Sequence, residues 1–345
     1  MTKLNRASNL ELLRIVAMLM IIALHQNGSA NALASLEPHT ANFYIANIVE
    51  AICICSVNCF VLVSGYFMID RNEAPVKKCV HLLIDVAFWG LIGCGCSFVL
   101  WGEFSGINDI VIAVIPYIKG YRWFVRDYII LMLLAPFLNL GLTQLSKRNY
   151  QILVVVLLLV FSIWPSFFPN PPIDDYGFSC VHFIQIYAIA GYIKRFGAQS
   201  FRPAMYLCGY LVSVALIFLS ALVGSGYAYA YNYLFVITAS VSLFLFFRSL
   251  SIQSGIVNKL ASGAFDVFVI HTTSFFADLV YVRLFHVDTT LFGSSFLFFV
   301  GFLLCPPVFY LFSSVLSAGK RWFFRKSIDK WLEKLPIKSY CIDEI

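Results

Sequence analysis

Charge is scarce in this chain. Only 12% of its 345 residues are Asp, Glu, Lys or Arg, against about a quarter in a water-soluble globule. With 60% hydrophobic and 17% aromatic residues, there is too little polar surface to cover the apolar remainder, which excludes a soluble enzyme, a disordered chain and a disulfide scaffold. The 24 Lys and Arg outnumber the 18 Asp and Glu, but apolar runs separate them and no single basic face forms, so nucleic acid is not an expected partner. Internal repeats and low-complexity linkers are also missing. A cleavable secretion signal is not expected either, because the first apolar run is entered through Lys3 and Arg6 and no small-residue cleavage site follows it.

What is present is long apolar runs. Ten of them, at approximately 10–27, 44–68, 80–101, 122–143, 150–168, 178–195, 204–224, 231–248, 260–282 and 291–317, approach the ~20 residues that span a bilayer as a helix. The expected fold is an all-α integral membrane protein of about ten transmembrane helices. The basic residues alternate between connections: Lys119, Arg122, Arg126 and Arg283 fall on one side and the other twenty on the opposite side. The positive-inside rule therefore places both termini in the cytoplasm, in the inner or plasma membrane of the cell. The outer connections are short, among them the acidic, proline-rich stretch 168–175 and the polar stretch 26–42. Residues 1–319 read as one polytopic membrane domain and 320–345 as a basic amphipathic cytoplasmic tail. In that tail Phe324, Ile328, Trp331, Leu332 and Leu335 recur at helical spacing among basic residues, the pattern of a helix lying on anionic membrane lipids.

Ten cysteines carry little chemistry. Of Cys53, Cys55, Cys59, Cys94 and Cys96 only Cys55 and Cys59 share a helical face, with no neighbouring His or second pair to complete a metal set, so no metal is expected.

Ionisable side chains at membrane depth are costly and mark candidate sites. Glu11, Arg14 and His25 in the first run form the best set. Arg14 and His25 are eleven residues apart, about three turns and ~16 Å, and share nearly one face, while Glu11 sits one turn before Arg14. Arg14 can hold a phosphate or carboxylate bidentately; His25 can accept and return a proton near neutral pH. The plainer alternative is that Arg14 snorkels to the interface and His25 closes a helix-to-helix hydrogen bond. Elsewhere the runs hold Glu50, Asn58, His81, Asp85, Arg126, Asp127, His182, Asp266, His271 and Asp278. His81 and Asp85, four apart, are placed to pair with each other. Asp266 and His271, five apart, do not share a face.

Four blocks occur in order along the chain: Glu11-Leu12-Leu13-Arg14 with His25; Phe60-Val61-Leu62-Val63-Ser64-Gly65-Tyr66-Phe67; Arg122-Trp123-Phe124-Val125-Arg126-Asp127-Tyr128-Ile129 with Leu134-Ala135-Pro136-Phe137-Leu138-Asn139; and Ser262-Gly263-Ala264-Phe265-Asp266-Val267-Phe268-Val269-Ile270-His271. In this arrangement the chain resembles the membrane acyltransferase-3 family. The resemblance implies transfer of an acyl group, usually acetyl, from cytoplasmic acetyl-CoA or another acyl-CoA to a hydroxyl of a cell-surface glycan or lipid-linked sugar. It also implies reliance on Arg14 and His25, and it matches a small residue followed by an aromatic at Gly65 and Tyr66. Asp266 departs from the pattern, where a small or uncharged residue is expected.

On this basis His25 is expected to deprotonate the acceptor, Arg14 to bind the donor's phosphates or pantetheine arm, and Glu11 to orient Arg14. Asn58, Tyr66, Asp127 and His271 are expected to line the substrate path. Two other classes compete: an exporter, which calls for Gly- or Pro-broken helices in repeated halves, and a glycan polymerase or ligase with a large outer loop. Neither feature is in the sequence.

Overall fold

A computed structural model describes residues 7–103, 106–115, 122–168, 175–197 and 201–334, without the side chains of 109 and 325–333. Most of the acidic stretch 168–175, together with Lys3, Arg6, Lys119, Leu335 and the side chains of Ile328, Trp331 and Leu332, lies outside the described residues.

All regular structure among the described residues is helical, as the scarcity of polar groups demands, since a helix satisfies its backbone internally where water is absent. The order begins α1 (Ser8–Ser29), α2 (Ala32–Ser35), α3 (Ala41–Cys53), α4 (Ser56–Met68), α5 (Val76–Trp101), α6 (Ile107–Val114), α7 (Trp123–Gln144), α8 (Lys147–Leu158) and α9 (Trp164–Phe167). It continues with α10 (Cys180–Phe196), α11 (Pro203–Leu222), α12 (Leu234–Ser249), α13 (Gly255–Ala261), α14 (Ala264–His271), α15 (Ser274–Ala277), α16 (Val287–Thr290) and α17 (Ser295–Lys334). Local chemistry sets several starts. The hydroxyls of Thr40, Ser146, Ser179 and Ser254 accept from the backbone N–H three residues on, and Pro203 occupies the first turn of α11.

Among the described residues seven helices are long and apolar enough to cross a membrane: Ser8–Ser29, Ala41–Met68, Val76–Trp101, Trp123–Gln144, Lys147–Phe167, Pro203–Leu222 and Ser295–Phe324. The chain is a multi-pass membrane protein. Of the other three apolar runs, two form α10 and α12, of 17 and 16 residues, each below the ~20 of a full crossing. The third, 260–282, is not one straight helix: Gly255–His271 and Ser274–Leu284 meet at 93° and add at most an eighth span.

No proline makes that bend. Three consecutive side chains reach back to the carbonyl four residues earlier instead: His271 Nδ1 to Val267 O at 2.8 Å, Thr272 Oγ1 to Phe268 O at 2.8 Å and Thr273 Oγ1 to Val269 O at 2.8 Å. They occupy carbonyls of the last turn that water cannot reach, so α14 ends in the bundle interior. Gly93 lets α5 lie against the bend, because a Cβ there would come within 2.5 Å of Thr273 Cγ2.

Helix α1 is central, packed against α3, α4, α12, α13, α14 and α17, whereas α11 leaves Leu211, Val212 and Leu219 exposed at its periphery. The bundle therefore buries the polar side of α1, including Glu11, Gln26 and Asn27. Gly65 brings α4 and α10 together: a Cβ would lie 2.9 Å from that of Ala190, the close approach that small residues permit between membrane helices.

Candidate active site

Two histidines separated by 246 positions in sequence meet where α1 and α14 pack. His25 Nδ1 and His271 Nε2 are 2.9 Å apart, and the rings stack with centroids at 4.9 Å. Hydrogen bonding selects the tautomers. Because the Val267 carbonyl only accepts, His271 Nδ1 carries the proton of the bond to it. The neutral ring then presents Nε2 as an acceptor, so His25 Nδ1 donates and His25 Nε2 keeps its lone pair. His271 is 1% exposed. His25 is half-buried, and among the described residues its hydrogen bond is made through Nδ1, not Nε2. Tyr281 donates to Ile22 O at 3.0 Å, holding α1 one turn below His25. The arrangement is a base backed by a ring that fixes its orientation, able to take a proton from a hydroxyl at Nε2.

The opposite half of α1 carries an ion pair. Arg14 donates to Glu11 Oε1 at 3.1 Å and Oε2 at 3.3 Å, and its side chain keeps 29% exposure. The Tyr128 hydroxyl, 3.0 Å from Ser64 Oγ, sits in the electrostatic range of both Lys78 and Arg14. A small cleft close by is lined by Met68, Arg71, Glu73, Pro75, Lys78 and Ala135. The cations Arg71 and Lys78 are exposed on the rim of this cleft, which they share with Glu73, and such cations can meet an anionic group. Along the helix Arg14 and His25 stay ~16 Å apart.

The remaining candidates scatter. Asn58 is fully buried and both ends of its amide are used in packing, Nδ2 on Tyr231 O at 2.9 Å and Oδ1 with His182 Nε2 at 2.8 Å; it crosslinks helices rather than lining a path. Tyr66 is part-buried and packs its ring on Phe244, with Lys194 Nζ 4.6 Å from the centroid. Asp127 is 2% exposed, held by Arg126 Nε at 2.9 Å and Nη2 at 3.0 Å. Of the four expected lining residues, only His271 joins His25. Among the described residues no three His, Cys, Asp or Glu side chains are grouped to hold a metal ion.

Sequence reading missed an ion cluster beneath the histidines. Lys320, grouped with the tail on sequence, is 7% exposed, and its ammonium lies 2.6 Å from Asp85 Oδ1 and 2.5 Å from Asp266 Oδ1. Trp89 Nε1 donates to Asp266 Oδ1 at 2.9 Å and the Ser317 hydroxyl to Oδ2 at 2.6 Å. His81 does pair with Asp85, at 3.1 Å. A signal existed: Ser313, Ser317 and Lys320 form a polar stripe at i, i+4 and i+7 where the apolar stretch of α17 ends, the spacing of one helical face. Arg122, placed with the outer charges by the positive-inside pattern, is also 7% exposed and donates to Ala113 O and to Thr273 Oγ1 at 3.1 Å.

A family model described as an acyltransferase domain, the acyltransferase-3 family, matches residues 8–318, which takes in every element of this site except Lys320. No match was found among curated proteins or among solved structures.

Proposed function

Given that this chain belongs to the acyltransferase-3 family and is a membrane acyltransferase, we propose that it moves an acetyl group from cytoplasmic acetyl-CoA to a hydroxyl of a cell-surface glycan or lipid-linked sugar, in the inner or plasma membrane. The observation that carries this reading is the His25–His271 pair at 2.9 Å with His25 Nε2 left as a free base.

The steps balance on these residues. The acceptor oxygen attacks the thioester carbonyl while its proton passes to His25 Nε2; His25 becomes an imidazolium, and its Nδ1–H donates to His271 Nε2 more strongly than before. Collapse of the tetrahedral adduct breaks the carbon–sulfur bond, and the departing thiolate takes the proton back from Nε2. No net proton is consumed. Arg14, with Lys78 and Arg71 near the cleft, holds the nucleotide phosphates, and Glu11 keeps Arg14 in register. The ~16 Å between Arg14 and His25 suits an extended pantetheine arm lying along α1, with phosphates on the cytoplasmic side and the acetyl group deep in the bundle. This orientation follows the distribution of basic residues along the chain.

The test is His25→Ala in membrane vesicles that carry the host's envelope glycans, with radiolabelled acetyl-CoA as donor and alkali-labile label in the glycan fraction as the readout. Loss of ester label with normal membrane insertion is expected; retained transfer overturns the base role.

A further inference from the structure

Helix α14 is eight residues long, bounded by Ser262-Gly263 on one side and by the 93° bend on the other. So short a helix has little rigidity of its own and takes its position from whatever grips it. At its far end it carries His271. At its start Asp266 is gripped by groups on two other helices: Trp89 of α5, and Ser317 and Lys320 of α17, with Lys320 tied in turn to Asp85 of α5. Asp85, Asp266 and Lys320 are all buried. Five residues, ~7.5 Å of helix, separate the Asp266 clamp from the ring that orients His25.

Burying three charges at membrane depth is expensive, and well-packed apolar residues would hold the helices at least as firmly. What the ion cluster adds is direction. Asp266 Oδ1 must meet both an ammonium and an indole N–H while Oδ2 meets a hydroxyl, which only one axial position and rotation of α14 satisfies. We infer that Asp266, fixed by Lys320 and Asp85, is a positioning residue that sets the His271 ring against His25. This inference rests on the reading of His25 as the base.

The experiment is a double-mutant cycle on the full chain in membrane vesicles with radiolabelled acetyl-CoA, comparing Asp266→Asn, His271→Ala and the two combined, with His25→Ala alongside. Asp266→Asn keeps the shape and removes the charge that holds Lys320. It should lower kcat about 10- to 100-fold, the cost of a misplacement of about 1 Å, and leave KM for acetyl-CoA unchanged. Because Asp266 works through His271, the combined variant should be no slower than His271→Ala alone. Losses that multiply, a shift in KM instead of kcat, or wild-type activity in Asp266→Asn each overturn the inference. If Asp266→Asn does not elute as a monodisperse protein, Lys320→Gln, which removes the cation that grips Asp266, takes its place in the cycle under the same criteria. Transfer retained in His25→Ala overturns the underlying reading; a dead His25→Ala beside a fully active Asp266→Asn overturns only the positioning role.

Discussion

In the proposed mechanism, replacing His271 by Ala removes one hydrogen bond whose strength changes during the reaction, and that change sets the size of the effect. Before attack, His25 Nδ1 and His271 Nε2 form a bond between neutral rings at 2.9 Å, a kind that stabilises by about 0.5–1.5 kcal/mol. Once His25 holds the acceptor's proton, the same bond has a cationic donor, and such bonds contribute about 1.5–3 kcal/mol. The difference, about 1–1.5 kcal/mol, lowers the barrier and corresponds to roughly tenfold in kcat. The loss can only be larger than this difference gives, because without its partner the His25 ring is free to carry its proton on Nε2 and cease to be a base there. His271→Gln supplies an amide oxygen that accepts from Nδ1–H, so it should recover most of the rate. The assay is the initial rate of ester formation at saturating labelled acetyl-CoA, normalised to membrane-inserted protein. A kcat for His271→Ala within twofold of the parent, or a Gln variant no better than Ala, refutes the orienting role.

The donor end and the frame give two further expectations. Arg14→Ala should raise KM for acetyl-CoA and leave kcat nearly unchanged, with Glu11→Gln moving KM the same way by less, since it breaks the pair but leaves the guanidinium in place; donor saturation curves decide, and an unchanged KM in Arg14→Ala removes it from the donor site. Gly65→Leu drives a side chain into Ala190 and Tyr187, an overpacking that costs about 1–3 kcal/mol. It should lower the thermal midpoint in detergent by several degrees, Gly65→Ala by less, and an unshifted midpoint contradicts the close α4–α10 approach.

The parts of the site legible in sequence are those separated by three or four residues. Glu11 and Arg14, and His81 and Asp85, pair as their spacing predicts, because one turn of helix brings such residues together whatever surrounds them. Membrane residence and helical class followed from composition, and the family from four ordered blocks, since these depend only on what the chain contains and in what order.

Tertiary structure decided which of the deep polar residues belong together. Nothing local joins His25 to His271, or Asp85 and Asp266 to Lys320; those contacts exist because α1, α5, α14 and α17 pack side by side. The same packing spends Asn58 on a helix crosslink and turns the departure at Asp266 into the seat of a buried cation. It also resolves the apolar run at 260–282 into two helices at a right angle, a break produced by three back-bonding side chains and not by any proline that hydropathy would have flagged. Composition determined the solvent this chain lives in, because transfer free energy sums over residues independently of their neighbours. The site depended on packing, because a hydrogen bond between distant residues requires both partners to be carried to within about 3 Å by helices whose crossings the sequence does not spell out locally.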